Sequence, residues 1–312
     1  MSSPILVTGA AGFAGSHLLD LLSRSSAEVI AWHRPGGSPP RGGSNGVRWE
    51  AVDLLDREQV QTAMARARPA AVYHCAGAAH VGRAWDSTAP TFATNVLGTD
   101  HVLQAIARAG IAARVMVPSS ALVYQTADEA LTEDHPVRPS SPYALSKLAQ
   151  EMLASRTNGT VRVLIARPFN HFGPRQDPHF VASGFARRIA DIEAGRWAPE
   201  ISVGNLEARR DLTDVRDTVR AYQMILERGQ PGRPYNICSG RAIRIRELLD
   251  QLIARARVRV EVKVDPARYR PNDTPLLLGD PARLRRELGW DPQIPLEQTL
   301  DDLLEYWRSE TA

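Results

Sequence analysis

The chain has 312 residues, a hydrophobic content of 43%, a net charge of +3 and a pI near 9.1. It contains no run of roughly twenty apolar residues that could span a membrane, and its start, MSSPILVTGAAG, lacks the basic region and apolar stretch of a signal peptide. The arginines are dispersed, which favours an anionic small molecule over nucleic acid as the ligand. The two cysteines, Cys75 and Cys238, lie in apolar strand-like runs, as free thiols of the reducing cytoplasm do. We therefore expect a cytoplasmic protein without membrane or nucleic-acid partners.

The first element is an apolar strand, PILVT, which enters a glycine-rich turn ahead of the helix SHLLDLLSRS. Gly9, Gly12 and Gly15 recur at every third position. Glycine allows a tight turn and lets a phosphate approach the backbone, and a helix N-terminus adds N–H groups and a positive dipole end. Between a strand and a helix, these glycines predict a dinucleotide-binding turn; a plain strand–helix turn is the alternative.

The second strand, EVIAWHR, ends in His33 and Arg34. NAD-binding folds usually carry an acid at this tip, whereas an arginine suits a 2′-phosphate, so NADPH is the expected cofactor and NADH is possible. The alternative is that Arg34 is a solvated loop residue.

After a turn-rich stretch, 35–46, Asp53 ends the third strand, where its expected partner is the adenine amino group. Capping of the next helix is the alternative, although Asp56 suits that position better.

Buried strands and helices then alternate along the chain. The strands are predicted at 70–79, 113–124 and 161–170, and the helices at 91–110 and from Pro142 onward. Small residues at 76–79 would let a dinucleotide lie across the strand ends. This alternation predicts an α/β fold with a doubly wound, mostly parallel sheet of the Rossmann type.

The helix that begins at Pro142 places Tyr143 four residues before Lys147. Residues at this spacing share one face of a helix, and a cation beside a phenol lowers its pKa toward neutrality. Such a phenol can exchange a proton with a carbonyl or alcohol oxygen. Because the five-residue pattern is common, a surface pair is the alternative when it is taken alone. The predicted apolar positions of this helix are Ala144, Leu145, Leu148, Ala149, Met152 and Leu153.

After Asn170 the pattern changes. Loop 171–180 precedes helix 185–195, a strand and turn at 203–215, helix 217–229, strand 234–240 that could rejoin the main sheet, helix 243–256, strand 258–265, a loop and a final helix. This predicts a smaller C-terminal α/β lobe over the carboxyl ends of the strands, where such folds bind ligands. We expect residues 1–170 with 211–241 to bind the cofactor, and 171–210 with 242–312 to bind the substrate. The eight histidines show no metal-ligand spacing, so no metal is expected.

The glycine turn, NVLGT, SSALVY and YALSK, in this order, resemble the extended short-chain dehydrogenase/reductase family over nearly the whole chain. The segments ARPFNHFGPRQ, FARRIADIEAG, VGNLEARRDLTDVRD and RPNDTPLLLGDP are similar to those of its members that act on GDP-mannose derivatives. The resemblance implies NADPH-dependent reduction of the C4 keto group of a GDP-4-keto-6-deoxyhexose. An NAD-dependent nucleotide-sugar 4-epimerase is the alternative. A non-catalytic nucleotide-sensing relative is a third, which intact Ser120, Tyr143 and Lys147 disfavour.

The resemblance also implies roles for matching residues. Tyr143 would be the general acid, Lys147 would bind the nicotinamide ribose and tune Tyr143, and Ser120 would bind the reacting oxygen. Ser120 is chosen over Ser119 because it lies four residues before Tyr124, as in the family. The expected cofactor-binding residues are Gly9, Gly12, Phe13, Gly15, Arg34, Asp53, Leu54, Ala76, Gly77, Asn95, Tyr143, Lys147 and Pro168.

The substrate-binding residues implied by the resemblance are Asn170, Arg187, Arg210, Arg270 and Asp273. Asn170 would lie beside the phosphates, and Arg210 and Arg270 would clamp the diphosphate, since a guanidinium donates two parallel hydrogen bonds to one phosphate. Arg187 and Asp273 would contact the nucleotide end. A surface ion pair of Arg209 or Arg210 with Glu207 or Asp211 is the alternative.

Two further expectations follow from the resemblance. Dehydratases of the family carry a glutamate two residues after the catalytic serine or threonine, often with an aspartate between them, whereas this chain has Ala121 and Leu122. A dehydratase is therefore not expected. The helices at 91–109 and 142–156 would form the dimer contact of the family, so a homodimer is expected.

Overall fold

The computed structural model describes residues 3–37, 46–157, 159–268 and 274–311. The predicted substrate residues Arg270 and Asp273 lie outside these ranges. The strands are β1 (Ile5–Thr8), β2 (Val29–His33), β3 (Val47–Ala51), β4 (Ala71–His74), β5 (Ala113–Pro118), β6 (Val161–Pro168), β7 (Asn170–Phe172), β8 (Glu200–Val203), β9 (Arg209–Asp214), β10 (Pro234–Ile237), β11 (Ala242–Arg244), β12 (Glu261–Val264) and β13 (Leu276–Leu277).

The helices are α1 (Phe13–Leu22), α2 (Arg57–Ala67), α3 (Arg83–Asp86), α4 (Thr88–Phe92), α5 (Gly98–Arg108), α6 (Pro142–Ser155), α7 (Val181–Glu193), α8 (Val215–Arg228), α9 (Ile245–Ala254), α10 (Ala282–Leu288) and α11 (Leu296–Thr311). A π-helical turn, Ala93–Leu97, joins α4 to α5, and short 3₁₀ turns lie at Ala121–Val123 and Pro266–Arg268. Among the described residues, no helix combines the length and apolar character needed to cross a membrane.

Seven parallel strands form the main sheet, in the order β10-β6-β5-β4-β1-β2-β3. The chain runs outward from β1 to β3 and then returns to β4 on the other side of β1. This reversal opens a crevice at the carboxyl ends of β1 and β4, where doubly wound sheets bind ligands. The predicted Rossmann-type sheet is confirmed, and β10 rejoins it beside β6.

Helices cover both faces of the main sheet. On one face, α1, α8 and α10 contribute side chains such as Leu18, Tyr222 and Leu288 to one apolar cluster. On the other, α2 and α5 contribute Met64 and Ile106 to a second cluster. Both faces of the strands are therefore buried, which is why their sequences read as continuous apolar runs.

A smaller α/β lobe is built from β7, β9, β11 and β13 in one sheet, the β8–β12 pair, and α7, α9 and α11. Its apolar cluster includes Ile189, Leu248 and Leu303. The division of the chain between cofactor and substrate parts stays a prediction. Leu284 of α10 and Trp290 belong to the predicted substrate part, but they pack into the apolar cluster on the main sheet. Trp290 Nε1 also donates to the Asp217 carbonyl at 3.0 Å.

Three elements differ from the sequence expectation. The helix predicted at 91–110 is interrupted by the π-helical turn, which contains Asn95. The single final helix is two helices, because Gly289 at φ 73° ends α10 in the left-handed conformation. The apolar positions of α6 do not all face inward: Leu145 and Met152 are 49% and 56% exposed, and the buried face of the helix is largely polar.

Candidate active site

The glycine turn closes against the loop after β4. Gly9 has φ +64°, and a Cβ there would lie 2.5 Å from the Ala76 backbone nitrogen. A side chain at Gly15 would overlap the Gly9 carbonyl oxygen. Gly12 caps α1 without a side-chain hydrogen bond, which leaves the first N–H groups of the helix for a ligand. The turn therefore has the geometry of an anion cradle at a helix N-terminus.

The tip of β2 has the expected cation on its surface. Arg34 follows the strand directly and is exposed, and its carbonyl accepts from His33 Nδ1 at 3.0 Å. Asp53 follows β3, where its Oδ1 accepts from the Leu55 N–H at 2.9 Å, so it forms a local turn. Asp56 caps α2 by accepting from the Gln59 N–H at 3.0 Å, so the alternative that Asp53 caps this helix is wrong. Cofactor contacts of Arg34 and Asp53 stay predictions.

Asn95 connects the loop after β4 to α6. Its side chain is fully buried; Oδ1 accepts from the Ala78 N–H at 2.8 Å, and Nδ2 donates to Ser146 Oγ of α6 at 2.9 Å. A Cβ on Gly77 would lie 2.9 Å from Asn95 Oδ1, so the loop needs glycine there. π-turns occur frequently at functional sites. Asn95 thus positions the predicted cofactor residues Ala76 and Gly77, and its own contact with a cofactor stays a prediction.

The Ser120 hydroxyl lies close enough to the Tyr143 phenol to favour its ionised form. Ser120 ends the segment after β5, and its Oγ accepts from the Leu122 N–H at 3.1 Å. Ser141 caps α6 by accepting from the Ala144 N–H at 3.2 Å, so Tyr143 lies in the first turn of the helix. This arrangement brings the proposed proton donor and the proposed oxygen ligand together.

The expected lowering of the Tyr143 pKa is wrong for the chain by itself. Burial raises the pKa of the phenol to about 12, and the hydrogen bond with Ser120 only partly offsets it. Lys147 donates instead to Gln150 Oε1. Burial lowers the pKa of the Lys147 ammonium to about 8, while nearby Cys75 and Glu151 raise it. Sequence spacing identified the pair but not this competing acceptor on the same helix.

On the substrate side, Asn170 is exposed at the start of β7, directly after the predicted cofactor residue Pro168 and Phe169. The side chain of Arg210 in β9 donates through Nη1 to the carbonyls of Arg209 at 2.9 Å and Thr274 at 2.6 Å. Arg187 on α7 is 50% exposed and lies 3.7 Å from Asp191, with its guanidinium 5.3 Å from the Trp307 ring centre. The substrate contacts of all of them stay predictions.

The lobe is also tied to the glycine turn, through the expected cofactor residue Phe13 and through histidines that the sequence did not single out. The ring of His171 in β7 stacks on Phe13 with centres 5.8 Å apart. His17 of α1 donates to the Pro174 carbonyl at 2.9 Å and accepts from Arg175 at 2.7 Å. A single histidine in an apolar run, such as His171 in NHF, is a weak signal in the sequence, because histidine is compatible with many environments.

Among the described residues, no group of three or more histidine, cysteine, aspartate or glutamate side chains could hold a metal ion. The glycine turn, by contrast, fits a dinucleotide, because only the absence of side chains at Gly9 and Gly15 leaves its backbone open to a phosphate. The fold and the Ser120, Tyr143 and Lys147 set define an NAD(P)-dependent oxidoreductase of the extended short-chain dehydrogenase/reductase class.

Comparison with known proteins gives the family. The family described as GDP-mannose 4,6 dehydratase matches residues 6–303, so the chain belongs to this family. A GDP-6-deoxy-D-mannose reductase of Pseudomonas aeruginosa is 38% identical, covering 99% of this chain and 98% of the relative. The solved structure of RMD from the same organism with NADPH has a TM-score of 0.87 and 34% identity, covering 99% and 100% of the two chains. A UDP-glucose 4-epimerase of Thermotoga maritima, solved with UDP-glucose, has a TM-score of 0.87 and 27% identity, covering 99% and 100%.

Proposed function

We propose that the protein is an NADPH-dependent reductase of the C4 keto group of a GDP-4-keto-6-deoxyhexose, of the type that converts GDP-6-deoxy-4-keto-D-mannose to GDP-D-rhamnose. The observation that carries this proposal is the proximity of Ser120 and Tyr143 at the carboxyl end of β5, with apolar side chains at 121 and 122. The similarity to the reductase of Pseudomonas aeruginosa supports the substrate class and the cofactor.

Reduction of a ketone needs one hydride and one proton. Bound NADPH would supply the hydride. Tyr143 supplies the proton: with a pKa of about 12 the phenol keeps its proton at neutral pH and is ready to donate it. Ser120 would donate a hydrogen bond to the developing alkoxide. The ammonium of Lys147 favours the phenolate that remains on Tyr143 after transfer.

The two positions after Ser120 carry no acid or base, which argues for a reductase over a dehydratase. Ala121 is 1% exposed, and Leu122 packs against a small apolar cluster that includes Phe169. In the following loop, Glu129 is exposed and lies 3.2 Å from His135. A 4,6-dehydratase must take a proton from C5 and expel the C6 hydroxyl, and the described segment after Ser120 offers no carboxylate for that at 121 or 122.

The nucleotide sugar would lie over the carboxyl ends of the main strands, with its diphosphate between Asn170 and Arg210 and its nucleotide toward Arg187. Arg270 and Asp273 are proposed for the same site on the resemblance alone. The bidentate geometry of arginine supports diphosphate binding at Arg210, whose Nη1 is oriented by hydrogen bonds to the Arg209 and Thr274 carbonyls.

We propose a cytoplasmic homodimer in which α5 and α6 pack against the same helices of a second copy. Leu97, Leu145 and Met152 are about half exposed on this side. A groove of about 570 Å³ lies between the two helices, lined by Leu103, Ala149, Met152 and polar neighbours. An apolar stripe of this kind on a helix pair is typical of a protein–protein contact.

The test is incubation of the purified protein with NADPH and GDP-6-deoxy-4-keto-mannose, followed by product analysis. We expect stoichiometric loss of NADPH and a GDP-6-deoxyhexose product. A 4-epimerase would instead interconvert nucleotide hexoses without net NADPH oxidation. That result, with no turnover of the keto sugar, would contradict the proposal.

A further inference from the structure

A chain of buried hydrogen bonds leads from Lys147 to the glycine turn. Lys147 donates to Gln150 Oε1; Gln150 Nε2 lies 2.7 Å from Thr99 Oγ1; and Thr99 Oγ1 lies 2.9 Å from His74 Nε2. His74 Nδ1 lies 2.9 Å from Thr8 Oγ1, which lies 3.3 Å from the Ala76 nitrogen. Every side chain in this buried chain is at most 7% exposed.

The direction of each hydrogen bond follows from the donors and acceptors. An ammonium only donates, so Gln150 must present Oε1 to Lys147 and its amide N–H to Thr99. Thr99 donates its own hydroxyl proton to the Asn95 carbonyl at 2.7 Å, so His74 must donate to Thr99 through Nε2–H. Nδ1 of His74 then accepts from Thr8. One arrangement of donors and acceptors therefore satisfies every hydrogen bond in this buried chain.

The carboxylate next to Gln150 is directed elsewhere. Glu151 forms a two-pronged contact with Arg167 of β6, with the Nε–Oε2 distance at 3.1 Å. Gln150 is therefore the neutral acceptor that orients the Lys147 ammonium within the described structure. A residue that fixes one of the three N–H donors of an ammonium leaves the other two for the ligand side.

We propose that Gln150 is a positioning residue for Lys147, held in place through Thr99, His74 and Thr8. Gln150 sets the direction in which the ammonium meets the cofactor. Through the same hydrogen bonds, it connects Lys147 to Ala76 beside the glycine turn. This inference rests on the proposed function, since it assigns Lys147 to cofactor binding.

Few groups around Lys147 titrate near neutral pH. On β4, burial lowers the pKa of His74 to about 3 and raises the pKa of the Cys75 thiol to about 12, so both are neutral there. On α6 itself, Tyr143 keeps its proton, and Glu151 is paired with Arg167 from β6. Lys147, with its pKa lowered to about 8 by burial, is therefore the group that changes charge in the mildly alkaline range.

The experiment measures NADPH affinity against pH, by fluorescence of the bound nicotinamide, for the wild type, Gln150→Glu and Gln150→Met. We expect the affinity of the wild type to fall as pH rises through the titration of Lys147. A carboxylate at 150 stabilises the ammonium, so the fall should move to higher pH in Gln150→Glu. In Gln150→Met the fall should move to lower pH, with affinity near neutral pH reduced about tenfold, as for loss of a hydrogen bond to a charged group.

Gln298→Glu adds the same charge at an exposed position of α11 and should leave the curve unchanged. A purely structural role for Gln150 would lower the melting temperature of both variants without moving the two curves in opposite directions. The proposal is overturned if the curves of NADPH affinity against pH do not move in the two variants, or if both move in the same direction. Should Gln150→Met not fold, an unmoved curve in Gln150→Glu overturns it, and a curve displaced to higher pH supports it.

This readout does not depend on the sugar. Opposite displacements of the two affinity curves, with no reduction of the GDP-4-keto sugar, would support the role of Gln150 and refute the proposed substrate. Reduction of the sugar with unmoved affinity curves would support the proposed substrate and refute the role of Gln150.

Discussion

Tyr143 carries its proton across the neutral range, since burial raises the pKa of its phenol to about 12. Removing the hydroxyl in Tyr143→Phe keeps the ring and its packing but removes the proton donor. We expect kcat to fall by about 10²–10⁴, as for loss of a general acid. Steady-state NADPH oxidation with the keto sugar measures this, with NADPH affinity as the control for an intact cofactor site. Near-normal turnover in Tyr143→Phe would rule out Tyr143 as the donor.

Arg34 follows β2 on the surface, where the 2′-phosphate of NADPH is proposed to lie. We expect the wild type to bind NADPH more tightly than NADH, and Arg34→Ala to lose roughly 2 kcal/mol of that preference, as for a hydrogen bond to a charged group. Arg34→Lys keeps the charge and should retain part of the preference. Affinities measured by fluorescence titration decide this. Equal affinities of the wild type for the two cofactors would contradict the assignment of Arg34.

At the level of elements, α1 and the loop after β7 are joined by His17. Burial and the neighbouring Arg175 lower the pKa of His17 to about 4, and its ring both donates to Pro174 and accepts from Arg175. Between pH 6.5 and about 4 the unfolded chain binds a proton at this residue and the folded chain does not. The free energy of unfolding should therefore fall as pH falls through this window, by up to roughly 3 kcal/mol from His17.

Glutamine can make both hydrogen bonds of His17 without titrating. We expect His17→Gln to unfold near pH 7 at a denaturant concentration close to that of the wild type, and to lose less stability on acidification. Urea unfolding at a series of pH values between 4 and 7 measures the difference. An acid slope identical in the two proteins would show that His17 does not contribute to it.

The outward face of α6 is the second element-level test. Its Leu145 and Met152 are about half exposed, as is Leu97 in the π-helical turn. A charge at the centre of a dimer contact leaves a buried, unpaired ion, so we expect Met152→Glu to shift the protein to the monomer. Val264→Glu changes an equally exposed valine of β12 and should leave the oligomer unchanged. Sedimentation velocity compares them; a monomeric wild type would refute the proposed dimer.

Across the whole molecule, periodicity and turn glycines were enough to predict the parallel sheet and the return of β10, because buried strands and amphipathic helices leave regular patterns. Spacing placed Tyr143 and Lys147 on one helix face, and the family resemblance added Ser120. The polar inner face of α6 was not, since Gln150 and Ser146 acquire partners from α5 and the π-turn only in three dimensions. For the same reason the spacing of Tyr143 and Lys147 suggested a lowered phenol pKa, where burial raises it.

The whole site also predicts that the protein does not catalyse the dehydration of GDP-mannose. Dehydration of GDP-mannose requires oxidation at C4, removal of a proton from C5 and loss of the C6 hydroxyl, and the last two steps need an acid and a base in addition to Tyr143. At the positions where such groups are expected, Ala121 is buried and Leu122 packs against apolar neighbours. We therefore expect the purified protein with NADP⁺ to form no 4-keto-6-deoxy sugar from GDP-mannose.

The control for that experiment is the same preparation with NADPH and the ready-made 4-keto sugar, which should be reduced. Binding of GDP-mannose alone does not discriminate, because the nucleotide and diphosphate contacts are common to both substrates. Mass spectrometry of the products separates the two reactions, since dehydration removes 18 mass units, about one water. Appearance of the dehydrated sugar from GDP-mannose would mean that a carboxylate or a water outside positions 121 and 122 reaches C5, and the assignment as a reductase alone would then be wrong.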